Sequence, residues 1–396
     1  MQSLIISIRI GQSEIYSLGQ EFQKSQNLKR LFLILNNNFL DGQGGYFIGV
    51  SLAKCLNVSD LVIDLSLNKI GEKGAKGLAQ GIGKMIQLQN LALNLKENNI
   101  EAKGVSDLTE EIGHCQNLVS FNLNLNLNKI GNDETLEFGI GLGKCSSLSS
   151  LSVDFSENGI KKIGLIQISK GIRCCSKLTS LFLDFQNNYI NGYQATYDFL
   201  NQLSNNENLT DLTLAFYFST LDCSAALGLG EALIKFKNLT RLMLNLDYNQ
   251  INDYGIQQLG KGIKNCQNLK KLLLNLRQNK FGYQGASDLG AELSNSKSLI
   301  DFQLQINSNN IGLIGAQDIL KGITKIQCLK HLKLDLSSCS IISNPGCDLG
   351  SQLTSFQNLL GLNLSLKKNT FMMNEKLNYL RKTQKLHRLV YLNFKI

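Results

Sequence analysis

Apolar and polar residues alternate in short bursts along this chain, and the bursts recur. Leu181, Leu183 and Phe185 are separated by Phe182 and Asp184, and Asn188 and Ile190 follow. The same L-x-L-x-L/F-x-x-N-x-I pattern runs from Leu91 to Ile100, Leu242 to Ile251 and Leu272 to Phe281. Its first leucine-type position returns at Ile6, Leu31, Leu61, Leu91, Phe121, Leu151, Leu181, Leu212, Leu242, Leu272, Phe302, Leu332, Leu362 and Leu392. Successive steps are one of 25, five of 30, one of 31 and six of 30. A period sustained over this length describes like units stacked on their neighbours, rather than two or three separate cores. The expected organisation is one repeat domain over residues 1–396.

Each unit has two halves with different periods. In the first, Leu61, Ile63 and Leu65 are apolar, while Val62, Asp64 and Ser66 point the other way, as a half-buried strand requires. Asn68 and Ile70 then turn the chain. In the second half Ala75, Leu78 and Ile82 follow helical spacing. The Leu78 position is taken in other units by Leu108, Phe138, Ile168, Leu229, Leu259, Leu289, Ile319 and Leu349. Glycine marks the helix entrance at Gly19, Gly44, Gly74, Gly104, Gly164, Gly255, Gly285 and Gly315, where it permits unusual φ or a close helix–strand approach. Pro345 takes that column once, where a first helical turn tolerates it. An asparagine column runs Asn38, Asn68, Asn98, Asn128, Asn158, Asn188, Asn249, Asn279, Asn309 and Asn369, with Ser219 and Cys339 substituting. A buried amide at the bend can bond backbone groups of its own and adjacent turns.

Of the ten cysteines, Cys55, Cys115, Cys145, Cys175 and Cys266 share a column with Met85, Phe236, Ile326, Phe356 and Leu386. A position that exchanges Cys with large apolar residues is a packing site. The expectation is free thiols in a reducing cytosolic compartment.

The strand–Asn–helix unit resembles a leucine-rich repeat of the ribonuclease-inhibitor-like subtype, with the helix signature seen in Ile70 to Ile82 and Ile311 to Ile323. The match covers essentially the whole chain. One departure is L-x-L-x-L-x-x-N in place of L-x-L-x-x-N, which lengthens the strand and gives a 30-residue unit. The resemblance implies an α/β solenoid: a horseshoe with an inner parallel sheet of about 14 strands, outer helices, and a concave face that binds proteins.

Outward strand positions would form that face. Around its middle, Phe182, Met243 and Leu273 join Tyr217, Phe218 and Tyr248 as a candidate partner-binding patch, because contiguous apolar surface marks interfaces. Charge on the face is segregated: Asp64, Glu97, Asp154, Glu157, Asp184 and Asp247 lie toward the first two-thirds, and Arg277, Lys333, Lys367, Lys368 and Lys395 toward the end, with Asp335 the exception. Near the C-terminus Lys376, Arg381, Lys382, Lys385 and Arg388 form a candidate basic patch for an acidic surface or RNA.

Candidate chemistry is sparse. His114, His331 and His387 stand in different repeats, none paired with a recurring carboxylate, and neither a phosphate loop nor a nucleophile elbow occurs. No enzyme, cofactor or metal is expected. Charged residues make up 18% of the chain and the net charge is +9, spread thinly, so nucleic acid is not the expected partner. The N-terminal apolar run lacks a basic lead and a cleavage site, and no run is long enough to span a membrane. The expected role is a protein–protein scaffold or adaptor in a larger cytoskeletal or ciliary assembly. Regulation of a small GTPase or other nucleotide-handling protein, and RNA association, remain as alternatives.

Overall fold

The computed structural model describes residues 3–11, 14–15, 17, 27–131, 138–342, 349–371, 381 and 388–395. Gly19, Pro345, Lys376, Lys382, Lys385, Leu386 and His387 lie outside the described residues. The chain divides into two compact units, one of residues 1–189 and 205–209, the other of residues 190–204 and 210–396.

In the first unit seven strands run parallel in chain order: β1 (Ser3–Ser7), β2 (Arg30–Ile34), β3 (Asp60–Asp64), β4 (Asn90–Asn94), β5 (Ser120–Asn124), β6 (Ser150–Asp154) and β7 (Ser180–Asp184). Between them come α1 (Gly42–Leu52), α2 (Gly71–Ile82), α3 (Glu101–Ile112), α4 (Phe138–Gly143) and α5 (Lys162–Ile172). The second unit begins with α6 (Tyr193–Leu203) and continues β8 (Asp211–Ala215), α7 (Cys223–Leu233), β9 (Arg241–Asn245), α8 (Asp253–Lys264), β10 (Lys271–Asn275), α9 (Tyr283–Leu293), β11 (Asp301–Gln305), α10 (Gly312–Ile323), β12 (His331–Asp335), α11 (Leu349–Leu353), β13 (Gly361–Ser365) and β14 (Tyr391–Lys395). Its seven strands are also parallel and in order. Each unit is thus an α/β solenoid, the parallel arrangement expected from strands alternating with helices.

Register follows the leucines: Leu61 pairs with Leu91, Leu91 with Phe121, and Leu242 with Leu272. From Leu31 to Leu362 the inward column is buried, as are Leu78, Leu108, Phe138, Ile168, Leu229 and Leu259 from the helices. This interleaving of strand and helix side chains is the core. The strand itself is five residues. The third apolar residue lies beyond it, yet inter-repeat backbone bonding continues: the Leu65 N–H donates to Asn94 O at 2.9 Å and the Leu67 N–H to Lys96 O at 2.9 Å.

The asparagine column forms the ladder its spacing predicts. Asn128 is fully buried. Its Oδ1 accepts from the N–H groups of Asn98 (3.0 Å) and Ile100 (3.2 Å), and its Nδ2 donates to the carbonyls of Leu95 (2.8 Å) and Leu125 (3.1 Å). Its own N–H donates to Asn158 Oδ1 at 2.8 Å. One asparagine therefore ties three successive bends, two through its amide and the third through its backbone N–H. Cys339 keeps one of these bonds, its thiol donating to Ile306 O at 3.4 Å across the same 33-residue gap that Asn309 Nδ2 spans to Leu276 O.

The glycine column serves a different purpose from the one expected. Gly74 and Gly104 lie within helices, and neither has positive φ. A Cβ on Gly74 would lie 2.8 Å from Gly42 Cα and 2.8 Å from Ile70 Cγ2, and one on Gly104 would lie 2.8 Å from Glu72 Cα. The absent side chain permits close approach of neighbouring helices, not of helix and strand.

Two outcomes test these packing assignments. Asn128→Ala should lower stability to urea by about 3 kcal/mol, since several buried backbone groups lose partners at roughly 1–3 kcal/mol each. Hydrogen exchange should show lost protection at the amides of Asn98 and Ile100. Gly104→Ala should destabilise by about 2 kcal/mol in the same titration, although alanine favours a helix interior by about 1 kcal/mol over glycine.

Candidate partner-binding face

On one face of each sheet the side chains meet the helices; on the other they meet solvent. The outward strand positions of the second unit include Thr213, which is buried, and Met243, Leu273, Gln303, Lys333 and Asn363, register neighbours along β8 to β13. Met243 and Leu273 are partners on adjacent strands, each half-buried.

At the turn after the strand the structure brings together three of the predicted patch residues. The Tyr217 and Tyr248 rings lie 4.9 Å apart between centroids, and Tyr217 and Phe218 lie 6.4 Å apart. The Arg277 guanidinium sits 5.0 Å from the Tyr248 ring centroid, within cation–π range. Phe218 is 57% exposed, whereas Tyr217 and Tyr248 are half-buried, so the cluster presents mainly one edge. Phe218 (φ 53°) and Tyr248 (φ 57°) occupy a left-handed column that also holds Asn37, Leu67, Glu97, Leu127, Glu157, Asn187, Gln278, Ser308, Ser338 and Lys368. The aromatic rings are therefore carried on the bend and not on the strand. Phe182 stands half-buried on β7 of the first unit.

The acidic residues of the face do structural work that their sequence positions did not reveal. Asp64, Asp154 and Asp184 accept from the N–H groups of Ser66 (2.9 Å), Ser156 (2.9 Å) and Gln186 (2.8 Å) two residues on, forming Asx turns that end the strands. Asn94 and Asn124 do the same with Lys96 (3.2 Å) and Asn126 (2.9 Å). Asp247 instead reaches across the repeat and accepts the N–H of Arg277 at 2.7 Å. Asn275, which would otherwise cap that N–H, is left with a side-chain oxygen without a partner. The basic members Arg277, Lys333, Lys367, Lys368 and Lys395 remain exposed.

Burial pushes the Asp184 carboxyl up to about 6, against the Gln186 N–H and with help from Asp154. It likewise pushes Asp247 up to about 6, against the Arg277 N–H and charge. The same desolvation holds the thiols of Cys55 and Cys145 near 11 and those of Cys115, Cys175, Cys266 and Cys339 near 12, so they stay protonated. Cys115 and Cys145 donate to the carbonyls of Ile82 (3.3 Å) and Ile112 (3.5 Å) of the preceding helix. All nine described cysteines are free thiols.

Of the basic C-terminal group only Arg381 and Arg388 are described. Both are exposed, and Arg388 Nη1 donates to Asn358 Oδ1 at 2.9 Å. His331 departs from expectation, because it does have a carboxylate partner: its Nδ1 lies 2.6 Å from Asp301 Oδ1 on the adjacent strand. The pair joins consecutive repeats at the first strand position, so no single unit displays it in sequence. Among the described residues no cluster of His, Cys, Asp and Glu is arranged to hold a metal, and no helix is long and apolar enough to cross a membrane.

Asp184→Asn tests the electrostatics. A folded pKa above the unfolded value near 3.9 means that ionisation costs stability at neutral pH and that stability rises as pH falls through 6. The asparagine keeps the Asx turn, as Asn94 and Asn124 do. It should stabilise the protein by roughly 1–2 kcal/mol at pH 7 and flatten the urea midpoint between pH 7 and 5.

Residues 61–79 match the family model described as Leucine Rich repeat. No curated protein matches the chain in sequence. Among solved structures, an internalin from Listeria monocytogenes is similar at a TM-score of 0.45 and 16% identity, over 94% of this chain and 82% of that one. The elements within residues 61–79, a strand, a buried asparagine bend and the start of a helix, recur in both compact units, and it is this one unit that is similar to a leucine-rich repeat.

Proposed function

We propose that the chain is a non-enzymatic protein-binding scaffold, of the ribonuclease-inhibitor-like subtype, whose partner docks on the solvent-facing side of the sheet. The observation that carries this reading is the Tyr217–Phe218–Tyr248 cluster with Arg277 over it. Aromatic residues and arginine dominate interface energetics, because they combine large apolar area with a polar handle. Nothing in the core requires Phe218 to be aromatic: the same turn position holds Glu97, Gln278 and Ser308 in other repeats. The half-buried Met243 and Leu273 extend the apolar surface, and Phe182 offers a comparable side chain on the first unit. The nine described cysteines without a disulfide fit a reducing compartment, and the reading is of a cytoplasmic adaptor within a larger assembly.

The test is affinity capture from native extract with the wild-type protein and a Tyr217→Ser/Phe218→Ser/Tyr248→Ser variant, quantified by mass spectrometry. A defined set of proteins should be recovered by the wild type and fall at least tenfold with the variant, while circular dichroism stays unchanged. Equal recovery by both would place the anchor elsewhere.

A further inference from the structure

Three dipeptides in the chain place glycine after an acidic or amide side chain: Asp41-Gly42, Asn158-Gly159 and Asn191-Gly192. Glycine leaves its own nitrogen unshielded and lets the backbone turn, so that nitrogen can attack the preceding side-chain carbonyl carbon. Two of the three side chains are held in place. Asn158 is 3% exposed and belongs to the ladder. Its Oδ1 accepts from the N–H groups of Asn128 (2.8 Å) and Ile130 (3.3 Å), and its Nδ2 donates to the carbonyls of Leu125 (2.8 Å), Phe155 (3.0 Å) and Ser156 (3.0 Å). Asp41 caps α1, accepting from the N–H groups of Gln43 at 2.9 Å and Gly44 at 3.2 Å.

Asn191 is not held. It shares its repeat position with Asp41, Asp222 and Asn252, whose side chains cap α1, α7 and α8. Those helices start at the very next residue, whereas α6 starts two residues on, at Tyr193, behind Gly192 and without a side-chain cap. The later start leaves Asn191 outside the capping position. Asn191 is exposed, and among the described residues neither its amide nor the Gly192 N–H has a hydrogen-bond partner. The glycines themselves do not differ in this way. Gly159 and Gly192 have φ of 70° and 82°, and a Cβ on either would meet nothing within 4 Å. The contrast lies in the asparagines.

We propose that Asn191 is a modification site, converted by intramolecular deamidation to aspartate and isoaspartate. The Gly192 nitrogen, having lost its proton to solvent, attacks Asn191 Cγ. A C–N bond forms, the Cγ–Nδ2 bond breaks, and ammonia leaves with a proton from water. Water then opens the resulting succinimide at either carbonyl, so no other reactant is needed. Isoaspartate routes the main chain through the side-chain methylene and lengthens it by one carbon. That extra carbon falls between the first turn of α6 and Ile190, which is buried and donates its N–H to Ser219 O at 3.0 Å. Aspartate instead sets a negative charge before a helix whose first turn holds no acidic residue, at the end where the macrodipole favours one.

Incubating the purified full chain at mildly alkaline pH and mapping its peptides by fragmentation mass spectrometry tests this, with isoaspartyl methyltransferase labelling as the report of isoaspartate. In the folded protein the gain of one mass unit at Asn191 should accumulate at least tenfold faster than at Asn158. It should quicken as pH rises, because the attacking nitrogen must lose its proton. In guanidinium chloride the two asparagines should convert at similar rates, since unfolding removes the ladder. Asn191→Gln, whose extra methylene disfavours ring closure, should cut the labelling of the folded protein at least threefold. An Asn191 that stays intact in the folded protein, or labelling that survives Asn191→Gln unchanged, overturns the site. Equal conversion of Asn158 and Asn191 in the folded protein overturns the protection assigned to the ladder, and the site with it.

Discussion

The structure depends on the asparagine amides that recur at the bends, replaced only at Ser219 and Cys339 among the described bends from Asn38 to Asn369. Where the chain leaves a strand and turns toward a helix, its backbone groups are removed from water and have no ladder partner, a cost that must be met by hydrogen bonding. An amide carries two donors and an acceptor with two lone pairs, the combination needed to serve a carbonyl in its own repeat, a carbonyl in the previous one and two N–H groups in between. Asn128 does this with every partner in or adjacent to the bend. Since each amide bonds across to its neighbour, the repeats are fixed in register, and every other column inherits that register.

The glycine columns answer a second constraint. Strands stack about 4.8 Å apart, whereas packed helices ordinarily sit 8–10 Å apart, so one helix per strand is crowded if the helices carry normal side chains on their contacting sides. Gly74 beneath Gly42 and Gly104 beneath Glu72 relieve that crowding by letting backbone approach backbone. The buried thiols act on the same seam, where Cys115 and Cys145 fill a small apolar space and satisfy a carbonyl at the end of the preceding helix.

With register and spacing held from within, the outward positions are released from the core, but not all of them are free. The Asx residues that end β3 to β7 are occupied by turn formation, which explains why aspartate and asparagine interchange there. What remains for a partner is narrower than the set of outward residues: an aromatic edge at Phe218 with Tyr217, Tyr248 and Arg277, and the exposed lysines.

The sequence by itself determined the repeat, the strand and helix positions, the asparagine ladder and the apolar role of the cysteines, because each depends on a residue recurring at a fixed step. It also pointed to Tyr217, Phe218 and Tyr248, since they break the pattern of their columns. Only the tertiary structure decided what depends on contact between units. It showed that Gly74 and Gly104 face neighbouring helices, that Asp64, Asp154 and Asp184 cap turns, and that His331 meets Asp301 on the adjacent strand. Those relations join side chains about thirty residues apart, or depend on where a strand stops, and a repeat's own pattern carries no record of either.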